Sequence, residues 1–325
     1  MNLTDPQRRA AGAPYAVDPE VAAGVAELAG EPQVVARGDW RELRRVAGEG
    51  MRRLAELEAR PRPAIEVRAF AVRAPDGASI DVRWYARRGA PPGSAVVFAH
   101  GGGLIAGDLD LYDGMVSRYA DETGAGFLSV DYRLAPAATA TTPADDAFAA
   151  LHWLRAHAGD LGVEPRRVAV MGESAGGGIA AGVAIRARDA GIALAGQLLI
   201  YPMLDDRTVV SDGARDGLLT WDHDASFTCW SALLGAERGT DGVSPLAAPA
   251  RLTDFRGLAP AYVEVGDLDI FRDEDISYAQ RLAAADVPVE LHVHPGAPHG
   301  YDRYASHSAL ARRAMADRLR VLRAL

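Results

Sequence analysis

Six short apolar runs, separated by stretches of helical period, constrain this chain more than any other feature. The runs are Ala95 to Ala99, Gly126 to Val130, Val168 to Met171, Leu194 to Ile200, Ala261 to Val265 and Val289 to Val293. Between them lie helical stretches such as Ala144 to Ala158, Gly176 to Asp189 and Asp275 to Ala285. Strands that alternate with helices pair in parallel, and the helices then cover both faces of the sheet. Upstream the period changes to two. Ile65, Val67, Ala69 and Ala71 alternate with charged or larger residues, and Ile80, Val82 and Trp84 do so after the turn Pro75-Asp76-Gly77. That pattern predicts an antiparallel hairpin ahead of the parallel strands.

The first sixty residues read as helical instead. Val21, Val25 and Leu28, then Leu43, Val46, Met51, Leu54 and Leu57, recur at helical spacing, with Asp39 placed to cap a helix and Pro61 and Pro63 ending the region. After Tyr201-Pro202 about sixty residues pass before the next strand, and they include a helix-like run from Ala225 to Leu234. An interruption with its own apolar helix predicts a lid or cap, which the N-terminal helices are expected to join. Residues 1–60 and 204–250 are therefore expected to form the cap, and residues 61–203 and 251–325 the core.

Composition removes several chemistries. All 35 basic residues are Arg, so no Lys can form a Schiff base or serve a phosphate-binding P-loop. The single Cys229 permits no internal disulfide and no cysteine-based metal site. With 44 acidic residues the net charge is -9, which disfavours nucleic acid as a partner. Arg41, Arg44, Arg45, Arg52 and Arg53 are interleaved with Glu42, Glu49, Glu56 and Glu58 and read as a solvated helix face. Met1 to Glu20 is polar, without the apolar core of a signal peptide, and no apolar run reaches the ~20 residues of a membrane span. A cytoplasmic location without a membrane span is expected.

Gly172-Glu173-Ser174-Ala175-Gly176 follows an apolar strand and opens a glycine-rich helical stretch. A serine in such a sharp turn is projected above the sheet, beside a helix N-terminus that favours a developing anion. His100-Gly101-Gly102-Gly103 follows the strand Ala95 to Ala99, and its glycines free the main chain to aim several N–H groups at one point, as a tetrahedral oxyanion requires. A nucleophilic serine also needs a base and an orienting carboxylate. Among the eight histidines, His299 lies in a loop past the last strand, at the edge of the sheet where reacting groups gather. His152 and His157 fall on a helix, His223 in the predicted cap and His307 on the last helix. His292 and His294 share a strand face, but no carboxylate is placed to complete a metal set, so no metal is expected. Asp267, Asp269 and Asp273 compete as the acid.

These motifs resemble the bacterial hormone-sensitive-lipase-like carboxylesterases, which have the α/β-hydrolase fold. The resemblance runs from residue 94 to residue 304 and includes the glycine loop and Asp131-Tyr132-Arg133-Leu134-Ala135-Pro136. It also takes in the serine turn, Tyr201-Pro202-Met203-Leu204-Asp205-Asp206-Arg207, Asp269-Ile270-Phe271-Arg272-Asp273-Glu274 and His299-Gly300-Tyr301. It implies a mostly parallel eight-stranded sheet with helices on both faces and a two-part helical cap. It selects Asp269 as the acid beside Ser174 and His299, and it implies an oxyanion hole from the N–H groups of Gly102, Gly103 and Ala175. Hydrolysis of short-to-medium acyl esters without a cofactor is the expected activity, with lactone or amide hydrolysis using the same groups and a non-catalytic small-ligand receptor as the alternatives. Self-association into a homodimer, common in the family, is a further expectation. Leu104, Ile105, Leu204, Trp221, Phe227, Ile270 and Tyr301 are the candidate pocket residues. Two positions depart from the family pattern. Glu173 stands where many members have Asp, which keeps the charge on a longer arm. Leu104 stands where many have an aromatic residue, a change expected to reshape the pocket.

Overall fold

The computed structural model describes residues 15–28, 33–211, 213 and 215–325. Most of the polar start, residues 1–14, and with it the reading of that segment as lacking a signal peptide, lies outside the described residues.

One sheet of eight strands organises the chain. The hairpin is β1 (Ile65–Arg73) and β2 (Ser79–Arg87), followed by β3 (Gly93–Ala99), β4 (Gly126–Val130), β5 (Val163–Glu173), β6 (Gln197–Ile200), β7 (Ala261–Gly266) and β8 (Val289–His294). Their spatial order is β1-β2-β4-β3-β5-β6-β7-β8. β1 and β2, and β2 and β4, pair antiparallel, and every other pairing is parallel. Every residue of β4, β6 and β7 is buried, as strands covered on both faces require. The crossover helices are α3 (Leu109–Thr123), α4 (Thr142–Ala156), α5 (Ala175–Asp189) and α7 (Arg272–Ala284), and α9 (Ala309–Arg323) closes the chain. On one face α3 packs beside α9, and on the other α4 packs beside α5. No helix among the described residues is long and apolar enough to cross a membrane.

The hairpin departs from its expected phase. Val67, Ala69 and Ala71 turn outward, while Val72 is buried and Phe70 packs on Trp153 of α4 with ring centroids 4.8 Å apart. β1 is an edge strand, and its even-numbered side, which it shares with Ile80, Val82 and Trp84, is covered at Phe70 and Val72 while Glu66 and Arg68 stay exposed; of the odd-numbered residues Ile65 is buried. His307 lies in the turn before α9, not on the helix, because Ser308 caps α9 by accepting the Ala311 N–H.

The N-terminal pair is α1 (Pro19–Leu28) and α2 (Trp40–Glu58), with Asp39 capping α2 through the Glu42 N–H at 3.1 Å. The segment inserted after β6 contributes α6 (His223–Leu234), capped by Asp222. The two regions meet. The Gly38 N–H donates to Thr228 Oγ1 at 2.8 Å, and Arg37 pairs with Asp224 and lies over the Phe227 ring, 3.9 Å from its centroid.

Arg318 ties the end of the chain to the sheet. It is fully buried on α9, paired with Glu264 of β7 and, at 2.5 Å, with Asp302 of α8 (Tyr301–Tyr304), and it donates to the Tyr119 hydroxyl at 3.1 Å. Asp302 also accepts from the Tyr201 hydroxyl at 2.9 Å. The cation therefore balances one carboxylate on β7 and one on α8, the short helix that follows the His299 loop. Removing one member of such a buried group leaves the others uncompensated, which costs about 3–5 kcal/mol. Arg318→Met is accordingly expected to lower the guanidinium unfolding midpoint by that equivalent, and a loss below about 1 kcal/mol would contradict the assignment.

Candidate active site

β5 ends at Glu173 and α5 begins at Ala175, leaving Ser174 alone in the turn with φ 55° and ψ -121°. This is left-handed backbone in a residue with a side chain, a conformation held only when its surroundings fix it. The turn is tight because α5 starts against the end of β3. A Cβ on Gly176 would lie 2.0 Å from the Ala99 carbonyl oxygen.

The Ser174 hydroxyl makes no capping bond to its helix and lies 2.9 Å from His299 Nε2. His299 Nδ1 is 2.6 Å from Asp269 Oδ2. With Nδ1–H donated to the carboxylate, Nε2 is the acceptor that faces the serine. Asp269 Oδ1 accepts the Phe271 N–H at 3.0 Å, which fixes the carboxylate in turn. Its two competitors are engaged elsewhere. Asp267 accepts the Gly296 N–H at 2.7 Å, and Asp273 pairs with Arg272 at 2.7 Å. The imidazole is walled by Tyr201 and Phe271, with ring centroids 4.9 and 5.2 Å away.

The glycine loop lies beside the serine. Gly102 has φ 121°, and a Cβ there would fall 2.2 Å from the Ala106 carbonyl oxygen, so the turn admits only glycine. Among the described residues, no acceptor takes the main-chain N–H groups of Gly102, Gly103 or Ala175. His100 is buried, stacks on Tyr132 at 4.2 Å and holds its Nδ1 2.8 Å from the Gly101 carbonyl oxygen. Burial pushes its pKa down to about 4, so the ring is neutral and shapes the loop.

Ser174, His299 and Gly101 to Gly103 open into a cavity of about 440 Å³. Of the seven apolar residues read as pocket wall, Trp221 alone lines it. Leu104, Ile105, Leu204, Ile270 and Tyr301 are buried in the core, and Phe227 lies between the guanidinium groups of Arg37 and Arg238. Leu104 therefore does not shape the cavity. Its φ of 66° marks the turn that carries it into the core. Much of the wall comes instead from Leu43, Val46, Met51 and Leu54 of α2. Their helical spacing was the available signal, and it reads equally well as a packing stripe. Tyr112 and Arg303 add polar lining that no motif marks, and Tyr201, which opens one of the quoted runs, lines the cavity as well.

On β8 a carboxylate does stand near the histidines, contrary to expectation. Glu290, His292 and Asp317 have donor atoms within 4.8 Å of one another. Arg320 pairs with both Glu290 and Asp317, so the cluster already holds a cation.

A family model described as the alpha/beta hydrolase fold matches residues 96–303. The chain belongs to that family. Esterase LipI of Mycobacterium tuberculosis is 38% identical to it over 261 residues, 78% of this chain and 80% of that one. A solved structure titled bacterial heroin esterase superposes with a TM-score of 0.85 at 34% identity, covering 94% of this chain and 97% of the other. A hyperthermophilic esterase from the archaeon Pyrobaculum calidifontis gives 0.85 at 28% identity, with 95% and 98% covered. This alpha/beta hydrolase is a hormone-sensitive-lipase-like carboxylesterase of the bacterial kind, a carboxylic ester hydrolase.

In this hydrolase the residue before Ser174 does not keep the charge expected of it. Glu173 is buried, its Oε1 lacks a hydrogen-bond partner among the described residues, and Tyr201 approaches Oε2 only at 3.5 Å. Burial, reinforced by the Asp302 carboxylate, pushes its pKa up to about 8 against the opposing pull of Arg303 and Arg318. The folded state thus holds a proton that the unfolded chain releases near 4.5. Its contribution to stability is complete below pH 4.5 and is lost as pH rises toward 8, at up to about 1.4 kcal/mol per unit. Glu173→Gln is neutral throughout. Wild type is expected to lose stability relative to this variant as pH rises from about 5 to 8, and parallel unfolding midpoints across that range would refute the shift.

Proposed function

We propose that Ser174, His299 and Asp269 hydrolyse short-to-medium acyl esters as nucleophile, base and orienting acid. The observation that carries the reading is the unbroken series of contacts, 2.9 Å from hydroxyl to imidazole and 2.6 Å from imidazole to carboxylate. Ser174 Oγ attacks the ester carbonyl carbon while its proton passes to His299 Nε2. The carbonyl π electrons move onto oxygen, and the N–H groups of Gly102, Gly103 and Ala175 receive that oxyanion. Asp269 keeps Nδ1–H oriented and stabilises the imidazolium. When the tetrahedral centre collapses, the C–O bond to the leaving alcohol breaks and His299 delivers its proton to the alcohol. Water, deprotonated by the same imidazole, then attacks the acyl-serine, releases the acid and restores the Ser174 hydroxyl.

Substrate size follows from the cavity. About 440 Å³ beside Ser174, walled by the apolar stripe of α2, suits a short or medium hydrocarbon chain. In this reading the N-terminal helices and residues 204–250 act as the cap that closes over it. On p-nitrophenyl esters, kcat/KM is expected to be highest between acetate and medium chains and to fall for long ones. A fluorophosphonate probe is expected to label Ser174. Ser174→Ala is expected to stay folded, to resist the probe and to lose at least about 10⁴-fold in kcat. A folded wild-type protein that is neither labelled nor active on any of these esters would defeat the proposal.

A further inference from the structure

The loops that carry the reacting groups are held by side chains from outside the sheet and its crossover helices. Arg44 of α2, interleaved with acids and expected to lie on a solvated face, turns inward. It donates from Nε to the Ile105 carbonyl and from Nη2 to the Ala135 carbonyl, both at 2.5 Å. The Ala135 N–H donates in turn to the Leu104 carbonyl at 2.9 Å, so one guanidinium clasps the glycine loop to its neighbour. Arg44 has no carboxylate partner among the described residues, and its Cζ lies 4.6 Å from the centroid of the Trp40 ring. Thr220, in the segment inserted after β6, donates its hydroxyl to the His299 carbonyl at 2.6 Å. Arg215, in the same segment and 6% exposed, donates to the Asp269 carbonyl.

Each acceptor is a main-chain carbonyl, so these bonds fix the path of a loop rather than the rotamer of one side chain. Each loop bears a different reacting element: the glycine-loop amides, the base and the acid. We propose that Arg44, Thr220 and Arg215 are positioning residues for ester hydrolysis, through which the cap sets the geometry of the oxyanion amides, His299 and Asp269. The inference rests on the reading of Ser174, His299 and Asp269 given above. Rate and cap seating are then linked. A loop displaced by about 1 Å loses roughly 100-fold in rate while the cavity still takes substrate.

The test uses the full-length chain, with p-nitrophenyl butyrate as substrate and a trifluoromethyl ketone as a mimic of the tetrahedral intermediate. Arg44→Met is expected to lower kcat by about 10- to 100-fold with KM within about threefold, and to weaken the ketone in proportion. Thr220→Val, nearly isosteric, is expected to lower kcat by about tenfold. Thr220→Ser, which keeps the hydroxyl, recovers the rate, and Arg44→Lys recovers part of it. Arg215→Met is expected to follow the same split. Arg45→Met, on the exposed side of α2, leaves kcat, KM and ketone affinity unchanged. Unaltered kcat and ketone affinity in folded Thr220→Val and Arg44→Met would overturn the inference, as would a rise confined to KM. A wild-type enzyme that fluorophosphonate does not label would instead bring down the underlying reading.

Discussion

The structure depends first on the meeting of β3, β5 and α5 at one point. Ser174 holds a left-handed backbone that costs about 1–3 kcal/mol, and nothing local to a serine offsets that cost. The surroundings do. Its N–H donates to the Ile200 carbonyl at 2.9 Å, its own carbonyl accepts the Met203 N–H at 2.9 Å, and α5 runs against Ala99 and His100 so closely that Gly176 has no room for a side chain. The turn is thus held from the end of β6, from the residues just after it and from the end of β3. The same approach sets the Ala175 N–H beside the glycine loop that follows β3. The amides and the hydroxyl that the proposed mechanism joins are brought near one another by this packing contact.

Acidic residues anchor the loops around this point. Glu274 of α7 is buried and accepts the N–H groups of Leu204 and Asp205 at 2.6 and 3.0 Å, together with the Thr208 hydroxyl. It thereby fastens the start of the inserted segment where that segment leaves β6. Arg318 does the equivalent at the far side of the His299 loop, through Asp302 and Glu264. Glu173, between them, is held neutral. Buried charge is tolerated in this chain where it is closely paired or bonded, and the carboxyl before the reacting serine, which Arg318 approaches only to 4.0 Å and Tyr201 only to 3.5 Å, keeps its proton.

How legible all this was depended on whether chain order or side-chain direction decided the outcome. The alternation of runs and helices located four parallel strands within two residues of their observed bounds, while β5 starts five residues before its run does and β6 three residues after. With them it located the strand ends near which Ser174, Asp269 and His299 sit. Chain order suffices there, because reacting groups gather at the carboxyl ends of parallel strands. The pocket wall was not legible in the same way. Leu104 and Ile105 adjoin the glycine loop, yet the positive φ at Leu104 sends both inward, and a dihedral angle leaves no mark in composition. Arg318 could have been found. It falls on the stripe of Ala311, Ala314 and Leu322 at helical spacing, the one arginine of α9 on its buried face. Arg44 could not, because charges interleaved as they are on α2 look the same whether they meet water or a carbonyl.

α2 therefore carries two duties on adjacent faces. Leu43, Val46, Met51 and Leu54 wall the cavity, and Arg44 reaches the carbonyls of the glycine loop. Residues 43 and 44 are neighbours, so a shift of the helix that enlarges the space for a longer acyl chain also moves the guanidinium. In the proposed mechanism those amides act on the transition state, whereas the apolar wall acts on substrate and transition state alike. A change in the size of the accepted ester is then felt first in KM and a change in the seat of the helix in kcat, which makes the two duties separable by kinetics although one element performs both.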